Sequence, residues 1–278
     1  MTARAWVGAA LIASLVLLAL AGDRVAGYRF DAQDPAHALE GPSRAHWLGC
    51  DALGRDLLAR ICEGGRISLV VAVGATGLAL AFGLAYGALA GWVGGGLDAV
   101  LMRGVDVIYA LPDLLVIVLV IEVLSAALAG VLPDLWRRLA AIALALGFVG
   151  FADVARLVRA LVLQAREETW VEAARATGAH PARILVRHVL PNVAAPVFVS
   201  AAFRIPAAIL AESSLSFIGL GIQPPFSSWG TLASDGFEAM RSFPHLILFP
   251  CVAILCSLLG FHLLGEALRE RLDPRGRA

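Results

Sequence analysis

The chain has 278 residues, 59% of them hydrophobic, with 22 basic and 22 acidic side chains and no formal net charge. Soluble domains run about 45–50% apolar, so an excess gathered into long runs excludes an ordinary water-soluble protein, and the balanced charge leaves no nucleic-acid footprint. All 22 basic residues are Arg; with no Lys, the chain carries neither a Walker A lysine for ATP nor a lysine for Schiff-base chemistry.

Six apolar segments approach the roughly 20 residues that a helix needs to cross a bilayer core. The first, Trp6–Gly22 behind Arg4, reads as an uncleaved anchor, because it lacks an A-x-A cleavage site and is long for a signal-peptide core. A polar segment over 23–66 follows. Within it Asp51 is placed to cap a short amphipathic helix over Ala52–Cys62, with Leu53, Leu57, Leu58 and Ile61 on its apolar side. Cys50 and Cys62 fall in the same segment and leave a disulfide open.

The second span is Ile67–Trp92. Ala75, Ala79, Gly83, Gly87, Gly91 and Gly95 recur every four residues there. Such a stripe lets helix backbones approach closely, either within this chain or against a partner. The third span lies within Leu97–Leu128 and is interrupted by Arg103, Asp106, Pro112 and Asp113. The fourth, Leu139–Leu163, ends with Asp153, Arg156 and Arg159. The fifth, Val193–Ile218, contains Arg204, Pro206 and Glu212. The sixth, His245–Leu264, holds Cys251 and Cys256, read as packed thiols. An Arg-rich loop (Gln164–Asn192) and a Pro/Gly-rich loop (Gly219–Pro244) separate the later spans.

Six spans put both termini on one side. With that side cytoplasmic, inner segments hold twelve Arg and outer segments nine, and seven acids offset the Arg of the outer 23–66 segment. The positive-inside rule then favours cytoplasmic termini. The resulting division is a transmembrane anchor with an outer polar segment (1–65), a membrane-spanning helical domain (66–266) and a short basic tail (267–278).

The Arg-rich loop is the least expected feature of a membrane bundle. Thr169-Trp170-Val171-Glu172 has the spacing of a capping box. The helix it starts would end at Gly178, which suits a left-handed C′ position. Pro181 suits the first turn of a second helix, running to about Val189, where Pro191 would break it. The pattern is a helix–turn–helix on the membrane surface. Arg contact with membrane lipid headgroups and docking of a protein partner are both open on these residues.

The run Val171-Glu172-Ala173-Ala174-Arg175-Ala176-Thr177-Gly178, with Ile184 and Arg187-His188-Val189-Leu190-Pro191-Asn192, resembles the EAA loop of ABC importer permeases. Three other stretches resemble the C-type subunit of the dipeptide/oligopeptide/nickel branch. They are His46-Trp47-Leu48-Gly49-Cys50-Asp51-Ala52-Leu53-Gly54-Arg55-Asp56, Leu101-Met102-Arg103-Gly104-Val105-Asp106, and Glu212-Ser213-Ser214-Leu215-Ser216-Phe217-Ile218-Gly219-Leu220-Gly221 with Ser228-Trp229-Gly230. Cys50 stands where the family usually has Thr, and Trp47 where it often has Pro.

The resemblance implies an all-α membrane protein of six transmembrane helices with the type I permease fold and a cytoplasmic coupling helix. It further implies a non-catalytic inner-membrane subunit that imports peptides or similar solutes. Its partners would be a second homologous permease, two ATPase subunits that bind the ATP and Mg, and a periplasmic solute-binding protein. No cofactor would belong to this chain. The coupling surface would comprise Glu172, Ala173, Ala174, Gly178, Ile184, His188, Leu190 and Pro191.

Ionisable residues inside spans are functional candidates by default. Arg204 and Glu212 lie about 12 Å apart along one helix, too far to pair with each other. Each, with Glu122, would face a translocation path or pair with another helix. Asp106 and Asp113 fall near a span start, at the interface. His180 and His188 match no zinc spacing, and no G-x-S-x-G or H-E-x-x-H occurs. An ion-coupled secondary carrier, with Arg204, Glu212 and Glu122 as a charge relay, is the alternative reading; it has no need of the structured loop. Peptides, nickel chelates and other small solutes all stay open as cargo.

Overall fold

The computed structural model describes residues 3–272; residues 273–278, which complete the basic tail, lie outside them. The described residues are overwhelmingly helical. Helix α1 (Ala3–Ala26) runs along the bundle edge. The chain then crosses an irregular segment with one isolated bridge between Cys50 and Asp56 and enters α2 (Leu57–Val93). The expected division at residue 65/66 therefore falls inside one continuous helix.

The cap of that helix is Asp56, whose carboxylate accepts the Ala59 N–H at 2.8 Å. The cap expected at Asp51 and the separate helix over Ala52–Cys62 do not form. Gly54 takes φ +71°, a left-handed conformation that no helix can run through. Asp51 instead closes the turn, accepting the Leu53 and Arg55 N–H groups at 2.8 and 2.9 Å. It also pairs with Arg55 and Arg60 at 2.7 and 2.6 Å.

Helix α2 ends at Gly94, φ +71°, and α3 (Gly95–Ala110) begins. Gly95 is therefore off the small-residue stripe. The remaining members, Ala75 to Gly91, are buried and pack within the chain against α5 (Asp134–Arg166). At Gly83 an added Cβ would stand 2.5 Å from the Val154 Cβ, and at Gly91 one would stand 2.8 Å from the Arg159 carbonyl oxygen.

The expected third span is a broken pair. Helices α3 and α4 (Asp113–Ala127) meet at 99°. Leu111 is extended there (ψ 146°), because the Pro112 ring drives the preceding residue out of the helical region. Five other helices are long and apolar enough to cross a membrane: α1, α2, α5, the run Pro181–Phe217 and α10 (His245–Leu272). The α3–α4 pair makes a sixth crossing if it is one bent span.

Near the start of α2 lies α9 (Trp229–Ala239). Trp229 is 1% exposed and anchors it, its indole N–H donating to the Ile61 carbonyl at 3.0 Å. Cys251 faces outward on α10 and Cys256 is half-buried, so neither is the packed thiol expected. An outward position on a membrane-spanning helix costs a small apolar side chain little. Cys50 is a buried free thiol.

Candidate coupling loop and intramembrane charges

The Arg-rich loop is built as two short helices between α5 and the fifth span. Helix α6 covers Thr169–Ala176. Its N-cap is Glu168, whose backbone carbonyl accepts the Val171 and Glu172 N–H groups at 3.0 and 3.3 Å. The capping box expected between Thr169 and Glu172 is absent. The chain has already turned out of α5 by Glu168, so Thr169 is inside the helix and its hydroxyl is misplaced for the role.

The other end forms as expected. Gly178 takes φ +80°, with Gly178 N–H donating to the Arg175 carbonyl and Ala179 N–H to that of Ala174, a Schellman closure. Pro181 opens α7 (Pro181–Ile184), and the His180 ring accepts the Ala182 N–H at 3.3 Å. Pro191 breaks nothing. A π turn over Leu185–Val189 joins α7 to α8 (Leu190–Phe217). The wider turn carries the chain past the carbonyl that the Pro191 ring would otherwise strike.

Val171, Ile184 and Val189 are fully buried and pack with Val158 and Val162 of α5 and Val193 and Val197 of α8. The Arg166 guanidinium donates to the carbonyls of Gly91 and Trp92 at the end of α2. These contacts pin the loop. They leave Glu172, Ala173, Gly178, His188 and Pro191 exposed, with Ala174 and Leu190 half-buried. Ile184 is therefore an anchor beneath the surface, and the exposed face carries Glu172, Ala173 and Gly178.

The intramembrane candidates separate. Glu212 is fully buried, and its two carboxylate oxygens accept the Ser68 and Ser216 hydroxyls at 2.9 and 2.7 Å. Ser68 in turn accepts the Trp229 backbone N–H at 3.3 Å. Glu212 thus ties α8 to α2 and α9. Glu122 is largely exposed and lies 3.8 Å from Arg138.

Arg204 pairs with Asp153 of α5 at 3.0 Å, and the Tyr109 hydroxyl donates to the same carboxylate. Alongside, Arg156 pairs with Asp106 at 2.6 Å and lies 3.9 Å over the Tyr109 ring. Arg159 holds Asp98 by two bonds of 2.5 and 2.6 Å. Sequence reasoning placed Asp153, Arg156 and Arg159 in a span but gave them no partners. The signal was their i, i+3, i+6 spacing, which sets a row of charges along one side of α5.

Residues 83–278 match the family model described as "Binding-protein-dependent transport system inner membrane component". The chain is 35% identical over 273 residues, 98% of its length and 86% of the relative's, to the oligopeptide transport system permease protein OppC of Bacillus subtilis (strain 168). It is 37% identical over 269 residues, 97% of its length and 85% of the relative's, to the dipeptide transport system permease protein DppC of Alkalihalophilus pseudofirmus. It is 38% identical over 236 residues, 85% of its length and 75% of the relative's, to the glutathione transport system permease protein GsiD of Pectobacterium atrosepticum.

This chain belongs to the binding-protein-dependent inner-membrane permease family. Membership makes it a multi-pass membrane transport permease of the OppC/DppC-like branch, as the motifs implied. The all-helical architecture is that expected of a type I permease.

Proposed function

We propose that this chain is one permease half of an ATP-driven importer that carries di- or oligopeptides, or closely related solutes, across the inner membrane. Its relatives bear the names of oligopeptide, dipeptide and glutathione transport permeases. A second homologous permease completes the path, a periplasmic binding protein delivers the cargo, and two ATPase subunits bind ATP and Mg. The chain makes and breaks no covalent bond. Both termini are cytoplasmic, on the side of α6 and α7.

One observation carries the coupling assignment. The Glu172–Gly178 face is exposed while Val171 and Ile184 lock its underside to α5 and α8. In an ATP-driven importer, a chain with no Lys for a P-loop takes its work from another subunit, and an exposed element pinned at the junction of two long helices can pass it on. Binding energy moves a two-state protein only through contacts that differ between the states; Glu172, Ala173, Gly178, His188 and Pro191 are placed to make them.

The test is Glu172→Lys and Gly178→Asp in the assembled transporter reconstituted in proteoliposomes. Cargo-stimulated ATPase activity and peptide uptake should both collapse while the variant chains insert normally. Full coupled transport in both variants would sink the coupling assignment.

A further inference from the structure

Charged side chains interrupt the otherwise apolar surface where α3, α4, α5 and α8 meet. The Asp153 side chain is 59% exposed and that of Asp106 62%. Ionised groups do not face hydrocarbon without penalty, so this is not the lipid side of the chain. Behind it lies a cavity of about 200 Å³ between α2, α4, α5 and α8. Asp113, Asp153 and Arg204 line it, and much of the remaining wall is Ala and Gly.

Two features show hydrogen-bonding capacity that the described residues do not use. Thr76 lines the cavity at 5% exposure, and its hydroxyl has no partner. A buried polar group without a partner is costly. Arg204 has five N–H donors, and its ion pair with Asp153 takes one. Its guanidinium lies against Gly150, where an added Cβ would stand 2.3 Å from Nη2.

We propose that this cavity is an intramembrane binding site for the two ends of a small zwitterionic peptide. The site so assigned depends on the chain being a peptide importer, as proposed above. Arg204 takes the cargo carboxylate through its spare donors, the bidentate geometry for which a guanidinium is built. Asp153 and Asp113 take the ammonium, and Thr76 bonds a main-chain amide. Walls of Ala and Gly accommodate side chains without reading them, which suits a path whose cargo varies. Glu212 takes no part, since both its oxygens are held by serines.

The placement also links the site to the loop. Asp153 lies on α5 and Arg204 on α8, each about 20 Å of helix rise from the loop that joins them. Sliding of α5 against α8, driven from the loop, changes the spacing of the two charges and so releases the cargo.

The experiment uses the complete transporter in proteoliposomes with trialanine as the probe. The double variant Asp153→Asn with Arg204→Gln removes both charges together, so neither is left unpaired. The complex should assemble, but trialanine should no longer stimulate its ATPase activity, and trialanine uptake should fall at least about tenfold, the scale of a lost charged hydrogen bond. Uptake at the wild-type rate would mean the pair only holds α5 to α8. Thr76→Val, nearly isosteric, carries the test where the double variant does not assemble; a loss of about threefold or more is expected from one neutral hydrogen bond, and unchanged uptake overturns the site. If the wild-type complex imports no peptide at all, the import reading itself fails; if it does and the variants match it, only this site fails.

Discussion

Gly87 of α2 rests directly on the backbone of Ala155 in α5: a Cβ at Gly87 would stand 2.3 Å from the Ala155 carbonyl oxygen and 2.9 Å from the Val158 Cβ. Neither atom is the tip of a flexible side chain, so the helices themselves would have to part. Gly87→Ala should therefore destabilise the bundle by about 1–3 kcal/mol, the usual cost of overpacking. Gly77 on the same helix has nothing within 4 Å of an added Cβ, and Gly77→Ala should be neutral or slightly stabilising through helix propensity. Melting temperatures of the two variants in one detergent decide the point; equal values would show that the α2–α5 seam tolerates expansion.

Asp98 and Arg159 bridge α3 and α5 with two bonds of 2.5 and 2.6 Å, and their side chains are 12% and 35% exposed. Asp98→Asn or Arg159→Gln alone leaves one partner's charge uncompensated and should cost about 1–3 kcal/mol. The double variant should cost less than the sum, because neither charge is then stranded. Arg159→Lys should not restore stability, since an ammonium cannot reproduce the fork. A double-mutant cycle on thermal stability measures the coupling, and strict additivity would refute it.

Much of this architecture was legible because it is local. The four-residue period from Ala75 to Gly91 fixed one helix face, and Gly178 with Pro181 marked the turn between α6 and α7. What escaped was decided at a distance or by one residue. Asp51 and Asp56 are equally good caps on paper; the left-handed turn at Gly54 hands the role to Asp56. Thr169 missed the cap by a single position, the ordinary uncertainty of a helix end. The charge partners of Asp153, Arg156 and Arg159 lie on α3 and α8, so no pattern within α5 could name them. Pro112 was visible as an interruption, but the 99° bend at it depends on how α4 packs on α5.

Gly178 has nothing within 4 Å of an added Cβ, yet its φ is +80°. Within this chain, the effect of a substitution there is conformational rather than steric. Gly178→Val should cost about 1–2 kcal/mol locally, the penalty of a left-handed backbone, while Gly178→Asn should be mild, because Asn tolerates that region. Hydrogen exchange across α6 and α7 reads the difference: Val should speed exchange at Ala179, whose N–H closes the turn on Ala174, and Asn should not. Equal exchange in both variants would show that the loop is held by Val171 and Ile184 alone.

Cys50 is fully buried, and burial with the nearby carboxylates of Asp56, Glu40 and Asp51 pushes its thiol from 9.0 up to about 11. Both effects act in the same direction, disfavouring the thiolate. Because the folded value lies above the unfolded one, the group's contribution to stability is fully present below about pH 9 and is lost as pH rises through 11. The thiolate is the nucleophile, so alkylation of Cys50 in the folded protein should be very slow at pH 8 and should keep rising with pH beyond 10. Mass spectrometry after timed iodoacetamide treatment follows that site alone. A rate that levels off near pH 9 would show an ordinary thiol and would place Cys50 outside the acidic turn built by Asp51 and Asp56.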